Sequence, residues 1–233
     1  MNPFPKLIAI GGGGFTHGSD PEMEDFILAQ IPVARPRVGY IGSANNDDPI
    51  RVAAFHSRFG AVCQRHTHLP MGASAADAQS WLTSLDMVYV GGGDTLHLLK
   101  SWRTDGVDQV MVAAAQRGVL MVGVSAGANV WFKQALSDSG GLGLAPVDCI
   151  GLVRGSCCPH YSTEPLRPPA FMAGVAQGAI ADGIAIDDGA AVLIDGAGQL
   201  TVFSARPGSK ACSVRRVGQT ALCEPLKRYE RRD

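Results

Sequence analysis

Residues 119–132, VLMVGVSAGANVWF, contain the pattern of a buried strand that runs into a sharp turn and a helix. Aliphatic residues fill the first positions, and small residues surround the serine in Gly123-x-Ser125-x-Gly127. In such a turn the small neighbours let the backbone pass while the serine side chain projects above the sheet. The N–H of Ala126 and the start of the helix then face an oxygen above Ser125. The stretch predicts a strand–turn–helix unit with Ser125 as a candidate nucleophile, although small residues could also serve close helix–sheet packing alone.

Similar units recur on both sides of this stretch. Short aliphatic runs that alternate with helical patterns predict strands at 7–10, 37–41, 62–69, 87–90 and 119–124. This alternation is typical of βαβ units around a mostly parallel sheet. Shorter segments at 183–186, 190–194, 199–204 and 211–216, separated by Asp-Gly turns and other polar residues, predict antiparallel edge strands. We therefore expect a single α/β domain over 1–233, a three-layer sandwich whose mostly parallel central sheet is flanked by helices.

The composition restricts the possible partners and locations. A net charge of -1 over 233 residues argues against nucleic acid as the main partner, because phosphate binding needs clustered Lys and Arg. The basic excess after Arg206 predicts a C-terminal strand and tail at 206–233 with a solvated face. The longest charge-free apolar run, 118–132, is shorter than a bilayer needs, and the run at 7–10 ends in four glycines without a cleavage site. Six irregularly spaced cysteines favour a reducing compartment, so we expect a cytoplasmic protein without a membrane partner.

A second glycine-rich turn follows the predicted strand at 87–90. The segment Gly91-Gly-Gly-Asp-Thr95 can present a bare amide to a ligand at the start of a helix. By itself the segment could be an anion site or only a tight turn. It lacks the spacing of the Walker and dinucleotide motifs, so nucleotide binding is disfavoured.

A nucleophilic serine needs a base and a third group that orients the base. His160 is the candidate base because it ends an apolar stretch and is followed by polar residues, although a structural histidine would fit the same pattern. Asp138, just past the helix that begins at Ser125, is a candidate orienting acid or a turn former, with Asp148 and Glu164 as the next candidates. The histidines at 66 and 68 lack the separated ligand pairs of zinc sites, so no metal is expected.

Four ordered motifs together resemble peptidase E, the aspartyl dipeptidase family of serine peptidases. They are Gly91-Gly-Gly-Asp-Thr95, Gly123-Val-Ser-Ala-Gly-Ala-Asn129, Ser137-Asp-Ser139 and Cys158-Pro-His-Tyr161. The resemblance extends from the first strand to about Pro207, and it implies the fold of class I glutamine amidotransferase-like proteins. It implies Ser125 as nucleophile, His160 as general base and Asp138 as the orienting acid. It also implies an oxyanion hole from the N–H groups of Gly93 and Ala126, with no cofactor.

The resemblance further implies hydrolysis of dipeptides with an N-terminal aspartate. Such a substrate needs a cation for its side-chain carboxylate, for which Arg167 is the candidate, although a solvated arginine would fit equally well. Asp94 stands where well-known members carry asparagine; it could hold the substrate ammonium, but it would repel an aspartyl side chain in its pocket. Two alternatives stay open, a cyanophycinase-like peptidase and a non-catalytic amidotransferase-like binding module. We expect a small peptide as partner and a monomer or homodimer.

Overall fold

The computed structural model describes residues 5–230, so Arg231 and Arg232 of the predicted basic tail lie outside it. The strands are β1 Leu7–Ile10, β2 Arg37–Ile41, β3 Arg65–Leu69, β4 Met87–Val90, β5 Leu120–Val124, β6 Phe132–Ser137, β7 Ala145–Asp148, β8 Val153–Cys158, β9 Gly183–Ile186, β10 Ala190–Ile194, β11 Leu200–Ser204, β12 Ala211–Val217 and β13 Thr220–Pro225. The α-helices are α1 Pro21–Leu28, α2 Pro49–Gly60, α3 Ala75–Leu82, α4 Thr95–Asp105, α5 Val107–Gln116, α6 Ala126–Asn129 and α7 Arg167–Gln177. Two 3₁₀ turns, Phe15–His17 and Ser43–Asn45, follow β1 and β2.

The first sheet has seven strands in the order β11-β10-β1-β5-β4-β2-β3. The five strands from β1 to β3 in this order are parallel, whereas β10 and β11 add antiparallel pairs at one edge. This arrangement confirms the predicted α/β class, with a sheet that is mostly rather than wholly parallel. In the register, Ile10 lies beside Val124, and Val90 lies beside Gly123. The loops that follow β1, β4 and β5 therefore meet at one edge of the sheet, where α/β proteins bind their ligands.

Apolar side chains bury both faces of this sheet. Helices α1 and α2 cover one face, where Phe55 and Phe59 join Tyr40 and Tyr89 in a fully buried aromatic cluster. Helices α3 to α5 cover the other face together with the second sheet, and there Trp131 packs near α4. Because the strands β1, β4 and β5 are buried on both faces, they are nearly continuous apolar runs rather than alternating ones.

A second sheet, which the sequence did not predict, has six strands in the order β13-β12-β9-β8-β6-β7. Strands β6, β8 and β9 are parallel, and the other pairs are antiparallel. Helix α7 covers its outer face, where Phe171 and Val175 pack in the same apolar cluster as Leu136 and Val214. The predicted helix after Ser125 is only the four residues of α6, because the chain continues at Phe132 as β6 and enters this sheet.

The basic C-terminal segment forms an antiparallel hairpin, β12–β13, at the edge of the second sheet. Arg215 and Arg216 are exposed on β12, and Lys227 and Arg228 are exposed after β13. The basic residues of this C-terminal segment that lie within the described range are therefore solvated. Among residues 5–230, no helix has the length and apolar character that a membrane crossing requires.

Candidate active site

Ser125 occupies a strained turn between β5 and α6. Its backbone has φ 56° and ψ -115°, a conformation that a residue with a side chain seldom adopts. The turn is possible because its neighbours lack side chains: a Cβ on Gly123 would lie 1.9 Å from the carbonyl oxygen of Gly127, and a Cβ on Gly127 would lie 2.2 Å from the oxygen of Val90. The Ser125 N–H donates to the carbonyl of Ile10 at 3.0 Å, which ties the turn to β1. The serine hydroxyl is thus fixed at the carboxyl edge of the first sheet.

His160 reaches this hydroxyl from the second sheet. Its Nε2 lies 2.8 Å from Ser125 Oγ. The histidine follows β8 in a loop, with φ 54°. Asp187 holds the loop, because one of its carboxylate oxygens accepts hydrogen bonds from the backbone N–H of Ser162 at 3.1 Å and from its hydroxyl at 2.6 Å. The two sheets therefore bring the serine and the imidazole within hydrogen-bonding distance.

Asp188 supplies the third member of the hydrogen-bonded chain. Its Oδ1 lies 2.6 Å from His160 Nδ1. Burial would raise the pKa of Asp188, but the hydrogen bond and charge of His160, a hydrogen bond from Thr163 and the charge of Arg206 together lower the pKa below its ordinary value. Gly12, in the loop after β1, packs directly against this pair: a Cβ on it would lie 2.2 Å from Asp188 Oδ1 and 2.8 Å from His160 Nδ1. The carboxylate is therefore ionised, and Gly12 covers it on one side.

This geometry corrects the expectation for Asp138. The Asp138 side chain is 67% exposed, and its nearest charged partner is Arg167 at 3.8 Å. The other two candidates are also bound elsewhere, Glu164 to Arg167 at 2.6 Å and Asp148 to a glutamine side chain at 3.1 Å. In the second sheet β8 lies between β6, which Asp138 follows, and β9, which Asp188 follows, and His160 Nδ1 faces the β9 side. The available signal was the position of Asp188 just beyond the predicted strand at 183–186, but the Asp-Asp-Gly sequence there also fits a turn.

The glycine loop after β4 lies beside Ser125. A Cβ on Gly92 would lie 3.1 Å from Ser125 Cβ, and one on Gly93, whose φ is +150°, would lie 2.1 Å from the carbonyl oxygen of Ala44. Within residues 5–230, no protein oxygen accepts a hydrogen bond from the backbone N–H of Gly93 or of Ala126. These two donors, which the sequence predicts as an oxyanion hole, are therefore available to a ligand.

Comparison with known proteins identifies the family of this chain. The model of Peptidase family S51 matches residues 7–202. The chain belongs to peptidase family S51. It is 34% identical over 211 residues to the uncharacterized peptidase YgaJ of Bacillus subtilis, a match that covers 90% of this chain and 91% of that protein. A segment of 91 residues is 46% identical to peptidase E of Citrobacter koseri, covering 38% of this chain and 40% of that protein.

A solved structure supports the fold of this S51 member. The crystal structure of a peptidase from an acI-B1 Actinobacterium superposes with a TM-score of 0.74 at 16% identity, covering 98% of this chain and 96% of that one. The predicted resemblance to peptidase E and the predicted α/β class are thereby confirmed. Family membership identifies the chain as a peptidase, and the substrate is a separate question.

The two residues that the sequence predicts for specificity are already engaged in the S51 fold. Asp94 caps α4, where its Oδ1 accepts the N–H of His97 at 2.7 Å. Arg167 is only 5% exposed, and it donates from Nε to Glu164 at 2.6 Å and from Nη1 to the carbonyl of Leu136 at 3.1 Å. Asp94 is exposed beside the glycine loop, whereas Arg167 holds the start of α7 against β6.

The histidines of β3 pair with neighbouring side chains. His66 Nδ1 lies 2.8 Å from His56 Nδ1, and His68 Nε2 lies 3.1 Å from Asp47. Across residues 5–230, no group of three or more His, Cys, Asp or Glu side chains is arranged to hold a metal ion.

Proposed function

We propose that the protein is a serine-type exopeptidase that hydrolyses dipeptides with an N-terminal aspartate through an acyl-enzyme on Ser125. The observation that carries the proposal is the continuous hydrogen-bonded chain Ser125 Oγ–His160–Asp188, with distances of 2.8 and 2.6 Å. A nucleophile, a base and an orienting acid in this order form the catalytic triad of serine hydrolases. In this proposal Asp188 takes the role that the sequence predicts for Asp138.

The chemical steps follow from the geometry. His160 Nε2 accepts the proton of Ser125 as Oγ bonds to the peptide carbonyl carbon, and the carbonyl oxygen becomes an oxyanion. The ionised Asp188 stabilises the imidazolium through Nδ1. The C–N bond then breaks as the oxyanion collapses, and His160 gives its proton to the leaving amine. A water molecule repeats the cycle on the ester, which releases the acid and regenerates Ser125.

The N–H groups of Gly93 and Ala126 are the proposed donors to the oxyanion. They lie on either side of Ser125, one in the glycine loop and one at the start of α6. Because they are backbone groups, one in the closely packed glycine loop and one at the start of α6, they need no rearrangement as charge develops on the oxygen. A single donor of this kind is typically worth about 10²–10³ in rate.

The preference for an N-terminal aspartate is supported by the resemblance to peptidase E and by the relative of that name from Citrobacter koseri. An exopeptidase of this kind must bind the free ammonium of its substrate. Asp94 is the proposed acceptor, since it is exposed beside the glycine loop and one of its carboxylate oxygens is not used by the helix cap. An ammonium at Asp94 also neutralises the charge that would repel an aspartyl side chain.

The test is hydrolysis of a panel of peptides by the wild-type protein and by Ser125→Ala. Asp-Leu, Glu-Leu, Ala-Leu and acetyl-Asp-Leu are incubated with each protein, and released leucine is measured. Ser80→Ala, an exposed serine on α3, is the matched control. We expect cleavage of Asp-Leu alone, unchanged in the control and abolished in Ser125→Ala.

Each other outcome points to a named alternative. Cleavage of Glu-Leu or Ala-Leu would keep the serine mechanism and reject the aspartate preference, and cleavage of the acetylated peptide would reject a need for the free ammonium. An aspartyl-arginine polymer is added to the panel, and activity on it alone would favour a cyanophycinase-like peptidase. No release from any substrate would favour the non-catalytic binding module.

A further inference from the structure

Arg51 places a cation at the glycine loop of the candidate active site. Its Nη1 donates to the carbonyl oxygen of Gly92 at 3.0 Å, and Asn45 Nδ2 donates to the same oxygen at 2.9 Å. Gly92 is the residue that lies directly against Ser125. Gly92 therefore contacts both the guanidinium of Arg51 and the nucleophile Ser125.

The turn after β2 and the capped start of α2 fix the backbone position of Arg51. The turn Ser43–Asn45 follows β2, and Asn45 Oδ1 accepts the N–H of Asp48 at 3.0 Å. Asp48 in turn caps α2 through the N–H of Ile50 at 2.8 Å, with a proline in the first helical position. Arg51 belongs to the first turn of α2, so its stem starts from a fixed point at the carboxyl edge of the first sheet.

The charge of Arg51 is not neutralised by an acid of the described chain. Among the ion pairs within residues 5–230, none includes Arg51. The two acids nearest in sequence have other partners, since Asp47 accepts from Met71 at 2.6 Å and pairs with His68, and Asp48 caps α2. The single hydrogen bond of Arg51 uses one of the five N–H donors of a guanidinium.

Arg51 and Arg167 differ in how many of their N–H donors remain available to a ligand. Arg167 donates to a carboxylate and to a backbone carbonyl and is almost fully buried. Arg51 is half-buried and has donors that no group of the described chain occupies. A guanidinium in this state is suited to bind a carboxylate by two parallel hydrogen bonds.

We propose that Arg51 binds a carboxylate of the peptide substrate and so determines specificity at this site. The inference rests on the proposed peptidase function and names the residue that selects for negative charge. A dipeptide with an N-terminal aspartate offers two such groups, the side-chain carboxylate of the first residue and the terminal carboxylate of the second. The chemistry is the same for both, and the experiment distinguishes them.

The experiment compares Arg51→Met and Arg51→Lys with wild type on three peptides. Asp-Leu carries both carboxylates, Asn-Leu lacks the side-chain charge, and Asp-Leu-amide lacks the terminal charge. We expect Arg51→Met to raise KM for Asp-Leu about 10- to 100-fold with little change in kcat, and Arg51→Lys to recover part of the loss. The peptide on which wild type and Arg51→Met have equal KM, or equal affinity in the Ser125→Ala background where the peptide is not cleaved, identifies the carboxylate. Arg65→Met, an exposed arginine on β3, controls for net charge.

Two results would overturn the inference. An equal loss on all three peptides, carried by kcat, would mean that Arg51 only positions the glycine loop through Gly92. No change on any peptide would mean that Arg51 is a solvated side chain. Binding of Asp-Leu to Ser125→Ala and to Ser125→Ala/Arg51→Met, measured by calorimetry, tests the contact without turnover. If no peptide is hydrolysed, the proposed function fails, and equal affinities in this measurement would separately reject the role of Arg51.

Discussion

Substitution of Asp188 by asparagine separates the acid seen in the structure from the acid predicted by the motif. Asp188 Oδ1 accepts from His160 Nδ1 at 2.6 Å, and this bond keeps the proton on Nδ1 so that Nε2 can accept the proton of Ser125. The amide can instead donate to Nδ1, which moves the imidazole proton to Nε2 and removes the base. In serine hydrolases the same change lowers kcat by about 10⁴. We expect this loss here, equivalent to about 5.5 kcal/mol of transition-state stabilisation.

The measurement is the steady-state kcat and KM of Asp188→Asn on the peptide that the wild type cleaves best. Asp138→Asn is the matched control, since it makes the same chemical change at a side chain that is 67% exposed and 3.8 Å from its nearest charged partner. We expect the control to stay within about threefold of wild type, as is usual for an exposed side chain whose ion pair is weak. Thermal unfolding of both variants shows whether the isosteric replacement leaves the fold intact.

The reasoning would be refuted by the reverse pattern. If Asp138→Asn lost a thousandfold while Asp188→Asn kept a tenth of the activity, Asp188 would be a structural neighbour of His160. The loop that carries Asp138 would then have to replace it in the working enzyme. Equal and small losses in both variants would reject the triad as the source of the rate.

Three further predictions test the surroundings of the site. Gly12→Ala brings a Cβ to 2.2 Å from Asp188 Oδ1, so kcat should fall at least a hundredfold, whereas Gly140→Ala, where the nearest atom is 4.0 Å away, should not change it. Gly93→Ala, at φ +150° and 2.1 Å from a backbone carbonyl, should lower kcat by about 10²–10³ by displacing an oxyanion donor; an effect on KM alone would contradict the proposed hole. Burial raises the pKa of Glu24 from 4.5 to about 7, so the folded protein holds this proton more tightly than the unfolded chain. We therefore expect the free energy of unfolding of the wild type to fall by about 3 kcal/mol relative to that of Glu24→Gln as pH rises from 4.5 through 7. Urea unfolding at pH 4.5 and 8 measures this difference, and a pH-independent difference would contradict the raised pKa of Glu24.

The first sheet could be predicted from the sequence because its central strands are buried on both faces. The bounds of β1, β2 and β4 agree with the prediction, and β5 begins one residue later than predicted. Continuous aliphatic runs that end in glycine are a strong local signal for such strands. In the second sheet, β9 and β12 lie at predicted strand segments, but β6 and β8 lack this signal, since β6 is FKQALS and β8 is VRGSCC. Their pairing depends on contacts between distant segments, which no local pattern records.

The same distinction explains why Ser125 and His160 could be selected from the sequence whereas the acid could not. In the second sheet β8 is parallel to β6 on one side and to β9 on the other, so the ends of all three strands lie at one edge. His160 and Asp188 each follow the last residue of their strand by two positions, and Asp138 follows its own by one. Both acids therefore follow strands that neighbour β8, and the motif order alone favours Asp138, which is nearer to His160 in sequence.

The packing around the imidazole decides between the two acids. On the β9 side, Gly12 leaves just enough room for Asp188 to reach Nδ1, and Asp187 fixes the loop of His160 from the same turn. On the β6 side, Arg167 lies 3.8 Å from Asp138 and competes for its carboxylate. A carboxylate that is 67% exposed and shared with a guanidinium stabilises an imidazolium weakly, whereas the carboxylate of Asp188, which is 21% exposed and hydrogen-bonded to the ring nitrogen, stabilises it more strongly. Direct contact with Nδ1, in space that a side chain at Gly12 would fill, thus distinguishes Asp188 from Asp138 better than distance along the chain does.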